Sequence, residues 1–178
     1  MIFGLFQRYA DTFEKEVHAF FKGISHFPPG QVQKRAVLLM QKDLVVLNLW
    51  LEHVYKGYRY LNVKKRKELY ANREKWVEKF RLFCVQNSFS EEFILHRLKS
   101  FKVSALDIQN RHEKWEYVLQ ILTFFESDDV FFKYRSGADF GGLFSDNRTQ
   151  KLIGDCNQMV TLYLYLYSLK FPITDFQN

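Results

Sequence analysis

Val37, Met40, Leu44, Leu47, Leu51, Val54, Tyr58 and Leu61 follow one another at steps of three and four without a break. That period lines one side of an α-helix, and a strand cannot hold it because strand side chains change face at every residue. Leu38, Leu39, Val46, Leu49 and Trp50 widen the apolar surface until only a narrow polar stripe is left, around Lys34, Gln41, Asn48 and Glu52. A helix this apolar belongs at the centre of a molecule, with other helices around it.

Its neighbours carry the same period. Phe6, Tyr9, Phe13, Val17, Phe20 and Ile24 form a first helical stripe that ends before Pro28, Pro29 and Gly30. Leu69, Trp76, Phe80 and Phe83, with Tyr70, Val77 and Cys84 beside them, form a third, whose basic residues are expected on the remaining faces. Ser88 with Glu91 three residues later has the pattern of a capping box and opens a short helix through Phe93, Ile94, Leu98 and Phe101. Ser104 then precedes Ala105, Ile108, His112, Trp115, Leu119 and Leu122, which predicts one helix running to about Phe125. The rings of 19 Phe and 10 Tyr supply a core of large side chains.

After Glu126 the texture changes. Asp128, Asp129, Gly137, Gly141, Gly142, Asp146 and Asn147 interrupt any helical period, so a boundary falls there, between residues 1–126 and residues 127–178. Val130 to Tyr134 suits a short strand. Met159 to Leu169 fits either a strand, with Leu162, Leu164 and Leu166 alternating with tyrosines, or a helix through Met159, Leu162, Leu166 and Leu169. Length and capping favour the helix: Asp155 is its N-cap, Gln158 the N3 partner, and Pro172 the stop.

Cys156 then lies in the first turn of that helix, where free backbone N–H groups and the positive end of the macrodipole favour an anion. A thiolate is the reactive form of cysteine, so this is a physically sensible place for a nucleophile. Gly154, two residues before it, permits a tight approach. Gly154-Asp155-Cys156-Asn157-Gln158, with the apolar helix and Phe171-Pro172-Ile173 that follow, resembles the transglutaminase-like superfamily of papain-type thiol enzymes over about 30 residues. The periodic stripes make this a mainly α chain with an N-terminal helical domain, and the resemblance implies that it is followed by the start of a transglutaminase-like α+β domain truncated after the nucleophile helix. It makes Cys156 the nucleophile on amide bonds of a protein or peptide substrate, with Asp155 and Gln158 supporting the helix N-terminus or an oxyanion. It also implies a strand beginning at about Ile173, and a His and an Asp on later strands. Lys170 stands where the family has glycine, no histidine follows Cys156, and Asp175 comes too early to serve as the acid.

Other chemistry is sparse. His18, His26, His53, His96 and His112 show no i, i+4 pair and no cysteine at ligand spacing, so neither a metal site nor a cofactor is expected. His112 belongs to an apolar stripe and reads as a core residue, as does Cys84. Nine basic residues between Arg59 and Arg81 face three acidic ones there, a local excess equal to the whole net charge of +6. The interleaved acids and the place of Trp76 on an apolar stripe argue against nucleic acid. No apolar run reaches the roughly 20 residues that span a bilayer. With two cysteines and no signal-like start, a reducing cytoplasm is the expected setting, in which the sequon Asn147-Arg148-Thr149 has no consequence. A non-catalytic helical interaction module is the alternative function, and the oligomeric state is not legible.

Overall fold

A computed structural model describes residues 8–126, 132–145 and 152–176. Phe6 of the first stripe, Val130 and Phe131 of the expected strand, and the sequon at Asn147 lie outside those residues. Helix α1 spans Thr12–Gly23, with the Asp11 carboxylate accepting from Phe13 N at 2.6 Å. It buries Phe13, Val17 and Phe20, and a 3-10 turn, Ile24–His26, leads to Pro28.

Helix α2, Pro29–Val54, is the expected central element, but it is two helices joined at Asp43, whose backbone is extended (φ −166°, ψ 99°). The Asp43 carboxylate accepts from Val45 N and Val46 N, both at 2.9 Å, so it acts as the N-cap of the inner half. The inner half buries Leu44, Val45, Val46, Leu47, Leu49 and Trp50, while Leu38 in the outer half is 69% exposed. The apolar seam outlasts the helix: α2 stops at Val54, Gly57 takes a left-handed φ of 68°, and Leu61 reaches the core from the following turn. Nor is the polar stripe a wet one past Lys34, which is exposed. Gln41 donates to Ser168 O at 2.9 Å, Asn48 to Leu44 O at 2.7 Å, and Glu52 is buried.

Helix α3, Val63–Gln86, is capped by Asn62 through Lys65 N at 3.0 Å. Its basic residues do not all face water. Arg66 is fully buried against Glu14, and Arg73 pairs with Asp43 and Glu74. Lys65 bonds Glu68 at 2.9 Å, which leaves the exposed side of α3 mixed in charge.

Helix α4, Glu91–Leu98, is capped by Ser90 and not by Ser88, because Ser90 Oγ accepts from Phe93 N at 3.2 Å. The single helix expected from Ser104 is also divided. Helix α5, Ala105–Asn110, and helix α6, His112–Glu126, meet at Arg111, where φ is −133° and ψ 32°. The bend lets Ile108 join Ile94, Leu98 and Leu119 in a small separate cluster while α6 packs on α3.

Strand β1, Phe132–Tyr134, pairs in parallel with strand β2, Leu152–Gly154, and between them lies a four-residue helix, α7, Phe140–Leu143, inside the stretch expected to be irregular. Helix α8, Cys156–Ser168, settles the ambiguous segment as helix, with Asp155 and Gln158 forming the expected capping box. It packs on α2 and α6 and buries Leu162, Tyr165, Leu166 and Tyr167 in the same cluster as Phe13, Leu44 and Phe80. The core is therefore continuous across Glu126.

Beyond Pro172 the chain forms a 3-10 turn, Ile173–Phe176, where a strand was expected. Ile173 N donates to Gln41 Oε1, and Asp175 accepts from Lys114 Nζ and Tyr167 Oη, both at 2.7 Å, which folds the segment back on α6 and α8. Those two hydrogen bonds, Lys114 first, hold the Asp175 carboxyl below its ordinary pKa. A lowered carboxylate pKa stabilises the fold above the unfolded value of about 4 and ceases to do so as pH falls through the folded value. Asp175→Asn should thus lower the melting temperature modestly at neutral pH, and its difference from the parent chain should vanish in acid below that window.

Candidate functional site

Strand β2 runs into α8 with Asp155 alone between them. A Cβ on Gly154 would lie 2.8 Å from Gln158 Cβ and 3.0 Å from Phe132 Cζ, so the strand end packs on the first helical turn only because residue 154 has no side chain. The Asp155 carboxylate accepts from Asn157 N at 2.8 Å, and Gln158 Oε1 accepts from Asp155 N at 2.7 Å. Gln158 Nε2 donates to Ala138 O at 3.0 Å, which ties the loop before α7 to the first turn of α8. Cys156 is exposed in the middle of this framework. Two consequences follow for its chemistry. Asp155 occupies helix-terminal donors and brings its own negative charge beside the thiol, and Gln158 has both ends of its amide engaged.

The loop of residues 135–139 is fixed from several sides. Arg135 N donates to Gly154 O at 2.8 Å, Gly137 takes φ 67°, and Asp139 caps α7 through Gly142 N at 2.6 Å. Glu52, read in the sequence as part of a polar stripe, accepts from Phe140 N at 2.9 Å and Gly141 N at 3.2 Å and holds Lys56 at 3.0 Å. A buried carboxylate thus caps the start of a neighbouring helix. Burial and a hydrogen bond to Asp139 push the Tyr60 hydroxyl pKa up, so it stays protonated. A Cβ on Gly141 would lie 2.2 Å from Tyr60 Oη and 2.7 Å from Leu61 Cδ2. Tyr60 can swing aside but the buried Leu61 cannot, so Gly141→Ala should cost about 1–3 kcal/mol, measurable by urea denaturation. In the sequence Gly141 and Gly142 signal only a break in helical period, and the partner of the α7 turn, Glu52, lies 88 residues earlier.

No hydrogen bond joins an imidazole to Cys156 among the described residues. His18 bonds Tyr9 Oη at 2.6 Å, His53 packs edge-on to Trp50, and His26 and His96 are exposed. His112 contacts Phe89 O at 3.2 Å at the start of α6. Helix α6 runs antiparallel to α8, since Lys114 meets Asp175, Tyr117 donates to Leu166 O, and Phe125 stacks near Tyr163. His112 therefore sits toward the far end of α8 from Cys156, a separation of at least about 15 Å at 1.5 Å per residue. No group of three or more metal-ligating side chains occurs among the described residues, and none of their helices is long and apolar enough to cross a membrane. Cys84 is half-buried, and burial pushes its thiol up to about 11. Comparison of the chain with family models, curated proteins and solved structures gives no significant match.

Proposed function

We propose that Cys156 is the nucleophile of a transglutaminase-like thiol hydrolase or acyltransferase acting on amide bonds. The observation that carries this reading is an exposed thiol at the first position of a helix that is otherwise anchored in the core, held there by a glycine-dependent strand end and a closed capping box. Such anchoring keeps the sulfur in place while leaving it open to a substrate. In the reaction the sulfur attacks the amide carbonyl, a C–S bond forms, the C–N bond breaks, and the leaving amine takes a proton. Water or a second amine then opens the thioester, and its proton returns to the base.

The proton carrier has to be an imidazole close to the sulfur. The reading assigns that role, and the acid that orients the imidazole, to residues following Asn178 in a longer chain. Residues 1–178 alone should then show negligible turnover of an amide substrate, whereas a chain extended to include a His and an Asp should hydrolyse or transfer, and Cys156→Ala should abolish the gain. An extended chain that offers no histidine, or that works equally well without Cys156, would sink the proposal. The second reading, a non-catalytic interaction module, draws on a groove of about 540 Å³ lined by Phe80, Cys84, Val85, Tyr117, Leu169 and Lys170, in which Val85 is 85% exposed. An inactive extended chain would favour it.

A further inference from the structure

We propose that the outer edge of β1 is a strand-addition site for an extended, acidic segment of a partner protein. The register pairs Phe132 with Leu152, Lys133 with Ile153 and Tyr134 with Gly154, and Arg135 N donates to Gly154 O at 2.8 Å. Backbone groups of successive strand residues point to opposite sides of the strand. Lys133 and Arg135 therefore direct theirs at β2, and Phe132 and Tyr134 direct theirs outward. The sheet stops at that edge: among the described residues it has two strands, and Tyr134 is 63% exposed. Parallel pairing normally occurs inside larger, covered sheets, and among the described residues nothing pairs with the outer edge of this two-stranded parallel ribbon. An open edge is a template for another strand, and main-chain hydrogen bonds supply much of the affinity when one is added.

Charge selects the occupant. Lys133, and Arg135 just past the strand end, lie on the side opposite the face from which the Phe132 ring reaches Gly154, and both are exposed, with Arg135 Nη2 extending along α7 to 3.0 Å from where a Cβ on Gly142 would sit. Neither forms an ion pair among the described residues. The nearby acids are committed to helix caps, Asp139 to Gly142 N at 2.6 Å and Asp155 to Asn157 N at 2.8 Å. An added strand with Glu or Asp at alternate positions meets both cations while its backbone pairs with Phe132 and Tyr134. This surface does not depend on Cys156 being a nucleophile.

The test is fluorescence anisotropy of a labelled peptide in which Glu alternates with Thr, titrated with the chain carrying Cys156→Ala so that no thiol chemistry intervenes. Saturable binding is expected, at least about tenfold weaker for a Lys-Thr peptide, for the Lys133→Glu/Arg135→Glu variant, and for the Glu-Thr peptide N-methylated at alternate amides. N-methylation removes the donors a strand needs and leaves the charges intact. Equal binding of the N-methylated peptide would mean charge attraction without strand addition and would overturn the proposal. So would equal binding of the Lys-Thr peptide, or no binding of the Glu-Thr peptide at all. Because the readout is binding in a chain without the sulfur, none of these results bears on the thiol reading.

Discussion

Iodoacetamide should label Cys156 before Cys84, with a rate ratio of at least about tenfold near pH 8. Burial holds the Cys84 thiol up at about 11, so only about one molecule in a thousand carries its thiolate near pH 8, a large difference from an unburied thiol. The more basic thiolate is the better nucleophile, which returns about a factor of ten of that difference. Access adds to what remains, because Cys156 is exposed and Cys84 sits half-buried beside Gln120. Site-resolved mass spectrometry after timed quenching gives both rates. The ratio should narrow as pH approaches 11, when Cys84 ionises too. Labelling of Cys84 first would mean that α8 does not present its first turn to solvent, and the proposed nucleophile would be lost with it.

Arg66→Met should destabilise the chain by about 3–5 kcal/mol, a large part of the roughly 5–15 kcal/mol that holds a domain together. Arg66 and Glu14 are both 0% exposed. The guanidinium donates from Nε to Glu14 Oε1 at 2.7 Å, from Nη2 to Glu14 Oε2 and Arg8 O at 3.0 Å, and from Nη1 to Leu61 O at 2.5 Å. Tyr70 Oη adds a 2.6 Å bond to the same carboxylate, and the Trp50 ring lies under the guanidinium at 5.2 Å. Removing the arginine leaves the buried Glu14 carboxylate without its counter-charge, held only by Tyr70 Oη and Ala10 N, whereas the double change Glu14→Leu/Arg66→Met replaces the pair by apolar volume and should recover most of the loss. Urea melts followed by circular dichroism measure both. A single-variant loss under about 1 kcal/mol would show that the network is not closed to solvent as described.

The helical character of the chain was legible because it rests on local rules. The three-and-four spacing from Val37 to Val54, the Asp155 and Gln158 box and the Ser104 cap each concern residues within a few positions of one another, and each appears in the structure. Where the sequence misled, two local signals competed or a distant partner decided. Ser90 displaced Ser88 as the cap of α4 because it directly precedes the helix, and the seam through Tyr58 and Leu61 continued on paper while Gly57 turned the chain. Asp43 lies within the stretch expected to be one continuous helix. It breaks α2 because Arg73, 30 residues later, holds one carboxylate oxygen while the other caps the inner half.

For the candidate site the division is similar. The placement of Cys156 at a capped helix start was readable from Gly154 to Gln158, since a capping box is complete within four residues. What surrounds that turn was not readable: the Ala138 carbonyl on Gln158, the β1 strand beside Gly154, the Glu52 cap of α7, and the absence of any imidazole bonded to the sulfur among the described residues. Buried charges show the difference most plainly. Composition counted Arg66 and Arg73 as part of a basic cluster on a helix surface, and only the packing of α1 and α2 against α3 turned them into internal partners of Glu14 and Asp43. Sequence by itself determined which stretches become helices and where a helix starts with a thiol, because backbone hydrogen bonds and side-chain period act over a few residues. Tertiary structure alone decided which polar groups are buried and what faces the thiol, because those depend on contacts between residues tens of positions apart.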